Sequence, residues 1–404
     1  MTDGERTPGV RRERSMTQFT APPLPQAAPA AAAPTAKRGF LKWVAAAAAA
    51  LLALLAGLIT LFLIGYESGP VPFLLGLVAA VLPVPVYVTL VLWLDRYEPE
   101  PAWMLATSFF WGALVAVFFA IVINSLGVVV VGSVFGRETA ALYGPVVSAP
   151  LVEETAKSVA LFALFFWRRD EFDGVLDGII YAAMVGLGFA MTENVKYYSA
   201  AVLEQNAVGV FVVRGLFSPF AHPMFTAMTG IGLGLAAQTR GRLTKALAPA
   251  AGFVLAIALH AGWNASAVFA ARFDSGALVL LTYFFVMMPT FVGVLLVVLL
   301  ALRHEGRLLR AHLLCDLQRG LLTQEEYERL CSVRGRMSAS FGALTRNGVG
   351  AWRARAQLNR AASELALLRS RVARGVTSRD GRDAEREALY VQQIYRLRLE
   401  LDGK

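Results

Sequence analysis

Five ionisable side chains, Glu153, Glu154, Glu193, His222 and His260, lie in four separate apolar stretches, each long enough to cross a bilayer. A carboxylate or ammonium at the centre of a spanning helix costs about 2.5–3.5 kcal/mol on insertion scales. Packing alone gives no reason to carry several such groups. They are expected to persist where they turn inward, toward one another, and do chemistry. In Glu153-Glu154-Thr155-Ala156-Lys157, the first and last residues share a helix face, and Glu154 is rotated from them by about 100°. The Glu–Lys pair partly neutralises itself, so one carboxylate is a structural partner and the other a free base. A buried salt bridge by itself would leave the second acid unexplained.

The other three stretches add Phe189-Ala190-Met191-Thr192-Glu193-Asn194, His222-Pro223-Met224-Phe225-Thr226 and His260-Ala261-Gly262-Trp263-Asn264. Gly186 and Gly188, shortly before Glu193, permit close helix approach, and Gly230 and Gly234 form a small-residue packing face. Each histidine has a polar partner one turn on, Thr226 or Asn264, on the same face. Pro223 is expected to disturb the backbone ladder beside a mid-span His222. Taken singly, Glu193-Asn194 reads as an interfacial cap and each histidine as an interhelical hydrogen-bonding residue. Taken together, they are the ingredients for activating one water. A buried glutamate removes its proton. The imidazoles either bind a metal such as zinc, with His222, His260 and Glu193 as the candidate ligands, or hydrogen-bond the water directly. Asn264 is placed to donate to a developing oxyanion. The reaction class is hydrolysis of an amide or ester within the membrane.

Those residues need a scaffold of membrane helices, and the composition supplies it. Of 404 residues, 56% are hydrophobic and only 17% charged, against about a quarter charged in ordinary soluble domains. Apolar runs of this length mark a polytopic helical membrane protein. Eight spans are expected: 40–64, 70–94, 102–131, 144–167, 175–199, 216–237, 247–270 and 277–302. Pro83 and Pro85 soften the second, and residues 200–214 are either an external loop or an interfacial helix. The net charge of +9 comes from the tails and alternate loops, as the positive-inside rule produces. That distribution argues against nucleic acid as a partner, and it places both termini in the cytoplasm with the body in the plasma membrane. Residues 1–38, rich in Pro, Ala and Arg, read as a disordered N-tail. Residues 39–302 form the membrane domain, and 303–404 a basic, helical cytoplasmic region. Thr323 with Glu326 has the spacing of a helix cap there. This region either recruits a cytoplasmic partner or is a solvated amphipathic tail. Cys315 and Cys331 have no metal or disulfide spacing. The fold class is all-α.

The motifs Glu153-Glu154-x-x-Lys157, Phe189-x-x-x-Glu193-Asn194, His222-x-x-x-Thr226 and His260-x-x-Trp263-Asn264 resemble those of the PrsW family of intramembrane proteases, related to the CAAX-type prenyl proteases. Asp95-Arg96-Tyr97-Glu98 and Asp177 also fit, and the resemblance covers about residues 93–302. It implies proteolysis of a single-span, membrane-tethered substrate such as an anti-sigma factor, among membrane lipid. Carried over, Glu153 or Glu154 is the water-activating base, and Glu193, His222 and His260 complete the site. The family is called a metalloprotease, whereas the related prenyl proteases work through glutamate without a tightly held metal. CAAX-type enzymes have a histidine where this chain has Glu193-Asn194, so their roles do not transfer to that position.

Two other readings fit buried acids and histidines. An ion- or proton-coupled transporter also carries them, but it predicts inverted repeats, and the two halves of the chain show no self-similarity. A non-catalytic scaffold would use them only to hold helices together.

Overall fold

The computed structural model describes residues 36–95, 97, 99–169, 171–375 and 381–402. The N-tail expected to be disordered, up to residue 35, and Arg96 and Glu98 of the family-like stretch lie outside the described residues. The chain divides into two compact units, Ala32–Arg303 and a second containing His304–Lys404.

Every regular element among the described residues is helical. The membrane unit runs through α1 (Ala36–Ser68), α2 (Pro70–Val81), α3 (Val84–Leu94), α4 (Ala102–Phe110), α5 (Val117–Phe135), α6 (Arg137–Tyr143), α7 (Ala149–Trp167), α8 (Val175–Leu203), α9 (Ala207–Phe211), α10 (Ala221–Gln238), α11 (Arg242–Arg272), α12 (Ala277–Thr282) and the start of α13 (Met288–Gln318). Wider π-helical turns join several of them, at Trp111–Ala116, Gly144–Ser148, Val212–Phe217 and Tyr283–Met287. Seven stretches are long and apolar enough to cross a membrane, and the protein is multi-pass. The expected span 144–167 is helical throughout but is not one of the seven, because Glu153, Glu154 and Lys157 lie within it. The two prolines divide the second span into α2 and α3, as expected.

The core is built around α8. Its apolar window is 94% buried, against 17% for α1 and for the α4–α5 stretch, whose outer faces are apolar and suited to lipid. Small residues make this burial possible. A Cβ on Gly186 would lie 2.6 Å from the Pro223 nitrogen, and one on Gly178 would strike the Gly230 carbonyl. Backbones at that separation gain dispersion contacts that larger side chains would forbid. The packing brings α8 against α10 along its length, and α7 and α11 close the bundle beside them.

The second unit contains the end of α13, α14 (Gln324–Leu330), α15 (Val333–Ala373) and α16 (Asp383–Asp402). The Thr323 cap is present: its hydroxyl accepts from Glu326 N at 3.2 Å, and Glu326 accepts from Thr323 N at 2.9 Å. Gly348, at φ 79°, kinks α15 into two arms, a backbone region open to glycine at little cost. Leu309, Leu313, Leu358, Leu365 and Ile394 form the buried interior. Arg369 ties it together, donating to the His312 carbonyl at 2.8 Å, Glu387 at 2.7 Å and Asp316 at 3.2 Å. Neither cysteine forms a disulfide among the described residues.

Candidate active site

The α7 face presents Glu153, Glu154 and Lys157, all buried. Lys157 Nζ lies 2.9 Å from Glu154 Oε1 and 3.4 Å from Glu153 Oε2. It also lies 3.9 Å from the centre of the Phe189 ring. From α10, Thr226 Oγ1 donates to Glu154 Oε2 at 2.9 Å. From α11, His260 Nδ1 meets Glu154 Oε1 at 3.1 Å. Glu154 therefore has both oxygens engaged. Glu153 is freer, with His260 Nε2 at 3.8 Å as its other close contact.

His222 stands between two further groups. Its Nδ1 is 2.9 Å from Lys157 Nζ, and its Nε2 is 2.8 Å from Glu193 Oε2 on α8. An ammonium only donates, so Nδ1 accepts, and Nε2 carries the hydrogen given to Glu193. His260 is fixed in the opposite sense: Nδ1–H points at the Glu154 carboxylate, which leaves the Nε2 lone pair facing Glu153. The two rings are 5.2 Å apart, and Phe225 stacks on His260 at 5.0 Å.

Glu193 is anchored by Arg214, whose Nη2 donates to its Oε2 at 2.6 Å while Nε donates to Asn194 at 2.7 Å. The guanidinium lies 3.8 Å over the Tyr197 ring. Sequence reasoning passed over Arg214, since it sits in the 200–214 stretch whose placement was open. That stretch is helical to Leu203 as the end of α8, and again from Ala207 through α9 and the following π-helical turn. The hydrophobicity of this segment is the one local signal that it folds back onto the bundle.

Pro223 sits in a different setting from that expected, and Asn264 has a backbone partner besides its place on the site. Pro223 falls in the first turn of α10, and His222 follows the Ser218-Pro219-Phe220 break rather than standing mid-helix. A first-turn proline lacks an N–H the helix does not use, so it leaves the ladder intact. Asn264 Nδ2 donates to the Pro145 carbonyl at 2.9 Å. Ala149 N bonds Gly144 O in the π register there, so the next donor would be residue 150, which is proline. Asn264 supplies the missing hydrogen. Asp177 is far from the cluster: it caps α8, accepting from Asp173 N at 2.9 Å and Gly174 N at 2.7 Å. Sixteen residues separate it from Glu193, roughly 24 Å along a helix.

Two cavities reach the cluster. One of about 320 Å³ is lined by Ile64 on α1, Asn124 and Val128 on α5, and Glu153, Glu193 and Tyr197. A second, of about 30 Å³, has room for a water beside Glu193, His222, His260 and Asn264. Among the groups in direct contact, and with neutral imidazoles, Lys157 and Arg214 oppose Glu153, Glu154 and Glu193, which leaves one carboxylate in excess; the exposed Lys196 borders the larger cavity. A proton or a cation balances it. The ligand atoms of Glu153, His222 and His260 lie within 4.8 Å of one another, and two imidazoles with one carboxylate are a zinc-type donor set. Glu193, expected among the metal ligands, is instead paired with Arg214 behind the His222 ring. Lys157 is the competitor at this set, since its ammonium already contacts His222 and Glu153.

Residues 100–294 match the model of the PrsW family intramembrane metalloprotease. Over those residues the membrane unit is similar to that family. Among curated relatives, Protease PrsW of Geobacillus kaustophilus is 33% identical over 142 residues, 35% of this chain and 58% of that protein. Protease PrsW of Clostridioides difficile is 34% identical over 136 residues, 34% of this chain and 55% of that protein. Protease PrsW of Bacillus subtilis is 28% identical over 145 residues, 35% of this chain and 60% of that protein. The chain thus spans little more than half the length of these PrsW relatives. No solved structure matches it.

Proposed function

We propose that the membrane unit is an intramembrane endopeptidase that hydrolyses a peptide bond of a membrane-tethered substrate with water activated by glutamate and histidine. The observation that carries this reading is the meeting of buried Glu153, Glu154, His222 and His260 with half-buried Glu193, from α7, α8, α10 and α11, in one cluster beside a 320 Å³ cavity. Helices that merely needed gluing would not require an excess carboxylate facing open space.

Glu153 is the base. It lines the cavity and has fewer partners than Glu154, so it takes a proton from water as the oxygen attacks the carbonyl carbon. His260 Nε2 accepts the water's other hydrogen and orients it. The proton held by Glu153 then passes to the departing amine as the C–N bond breaks. Glu154 positions His260, and Glu193 with Arg214 positions His222. Glu153, His222 and His260 are the residues that would hold a metal ion. When bound, zinc supplies Lewis acidity toward water and carbonyl. Holding an ion and acting as base are exclusive roles for Glu153, and elemental analysis of active protein decides between them.

The substrate is a single-span membrane protein of the anti-sigma-factor type that the family resemblance implies. The chain sits in the plasma membrane with residues 144–167 as an eighth crossing and both termini in the cytoplasm. The basic loops Arg168/Arg169 and Arg240/Arg242/Lys245 support that orientation. The test is cleavage of a single-span substrate by the purified full chain in liposomes. Loss of cleavage in both Glu153→Gln and His260→Ala, with helicity retained, supports the assignment; undiminished cleavage by both ends it.

A further inference from the structure

The C-terminal unit holds a cavity that the proteolytic reading does not use. It has a volume of about 240 Å³ and opens between the two arms of α15, with Leu401 of α16 at one wall. Arg329, Arg346 and Arg355 line it, together with Ser338 and Asn347. Arg329 is paired with Glu325. Among the described residues, Arg346 and Arg355 have no carboxylate within ion-pair distance. The Arg355 Nε is buried and has no acceptor. Burial holds the Arg355 guanidinium below its usual range, and Glu326, the acid acting on it most strongly, is itself bound by Arg398 at 2.8 Å.

An unpartnered buried donor on a side chain that lines a cavity calls for an explanation. Guanidinium groups lining one cavity, two of the three without a carboxylate partner, are matched by an anion with several oxygens, and phosphate satisfies their fork geometry best. A volume of about 240 Å³ is ample for a phosphoryl group with a small substituent. We propose that this cavity binds a phosphate-bearing ligand, whose phosphoryl oxygens accept from Arg355, Arg346 and Arg329 and from the Ser338 and Asn347 side chains.

A phosphoryl group of this kind belongs either to a phospholipid headgroup or to a free phosphate compound. The full chain is reconstituted in nanodiscs of zwitterionic lipid and titrated with inorganic phosphate. In parallel, discs doped with phosphatidic acid are scored for retained lipid by native mass spectrometry. Binding of inorganic phosphate assigns a soluble ligand; retention of phosphatidic acid alone assigns the headgroup. Either result is expected to weaken at least about tenfold in Arg355→Met, the effect of losing one charge-assisted bond. Arg355→Met without phosphate should melt no lower than the parent, because it removes an unpartnered buried donor. A purely structural Arg355 would lower melting equally with and without ligand. That result, binding unchanged in Arg355→Met, or no binding of either probe by the parent, overturns the proposal.

Discussion

Lys157 Nζ and His222 Nδ1 meet at 2.9 Å across α7 and α10, 65 residues apart in the chain. Through Lys157 the acids of α7 are joined to the imidazole of α10, and through His222 to Glu193 on α8 and thence to Arg214. One chain of polar contacts therefore links four elements. Its members share a fate, so single substitutions at different links should produce distinguishable defects.

Glu153 and Glu154 differ in what their loss does. Glu153→Gln should lower cleavage by about 10²–10⁴ with little change in melting, since Glu153 has the fewer contacts. Glu154→Gln removes a carboxylate that accepts from Lys157, His260 and Thr226. Unpairing a buried ion costs about 3–5 kcal/mol, so this variant should melt earlier as well as lose activity. Equal melting of the two variants contradicts the division of roles.

Lys157→Met removes the cation that competes with a metal ion at Glu153, His222 and His260. The variant should be less stable, and it should retain more zinc per chain than the parent after dialysis, as measured by elemental analysis. Unchanged zinc content would show that the ammonium does not occupy the ligand set.

Arg214→Gln releases Glu193 and, through it, the hydrogen donated by His222. Cleavage should fall roughly tenfold to a hundredfold, mainly in kcat, as when a supporting residue outside the reacting groups is lost. Arg214→Lys should not restore it, because lysine cannot reach Glu193 and Asn194 with a rigid fork. Full rescue by lysine would reduce the role to charge alone.

Cys331 lies in the second unit, and burial pushes its thiol up to about 11 from an ordinary 9.0. The neutral thiol is the form the fold favours. Its contribution to stability is complete below pH 9 and is lost as the pH rises through about 11. Alkylation of Cys331 in folded protein should be slow at pH 8 and accelerate toward pH 11, and Cys331→Ala should flatten the fall in melting temperature over that window. Rapid labelling at pH 8 would contradict the burial.

The acids and histidines of the cluster were legible because an ionisable group in an apolar run is costly wherever it stands, so sequence alone marks it. The order of helices was legible for a related reason: span length is set by the bilayer. Arg214 was not, because an arginine near a span boundary reads as an interfacial anchor until the chain is seen to fold back over Tyr197. The Asn264 contact was hidden by a change of helical register, since only in the π-helical turn does the Pro145 carbonyl look to Pro150 for a hydrogen. The freer state of Glu153 relative to Glu154 depends on Thr226 and His260 arriving from other helices, which residue spacing within α7 does not encode.

A helix hemmed in on every side, as α8 is, serves as a fixed axle. Any widening that lets a polypeptide reach Glu153 must come from the rim, where Ile64 of α1 and Asn124 of α5 border the larger cavity. Stapling α1 to α5 should then block the proposed cleavage, whereas stapling α8 to α10 should leave it intact.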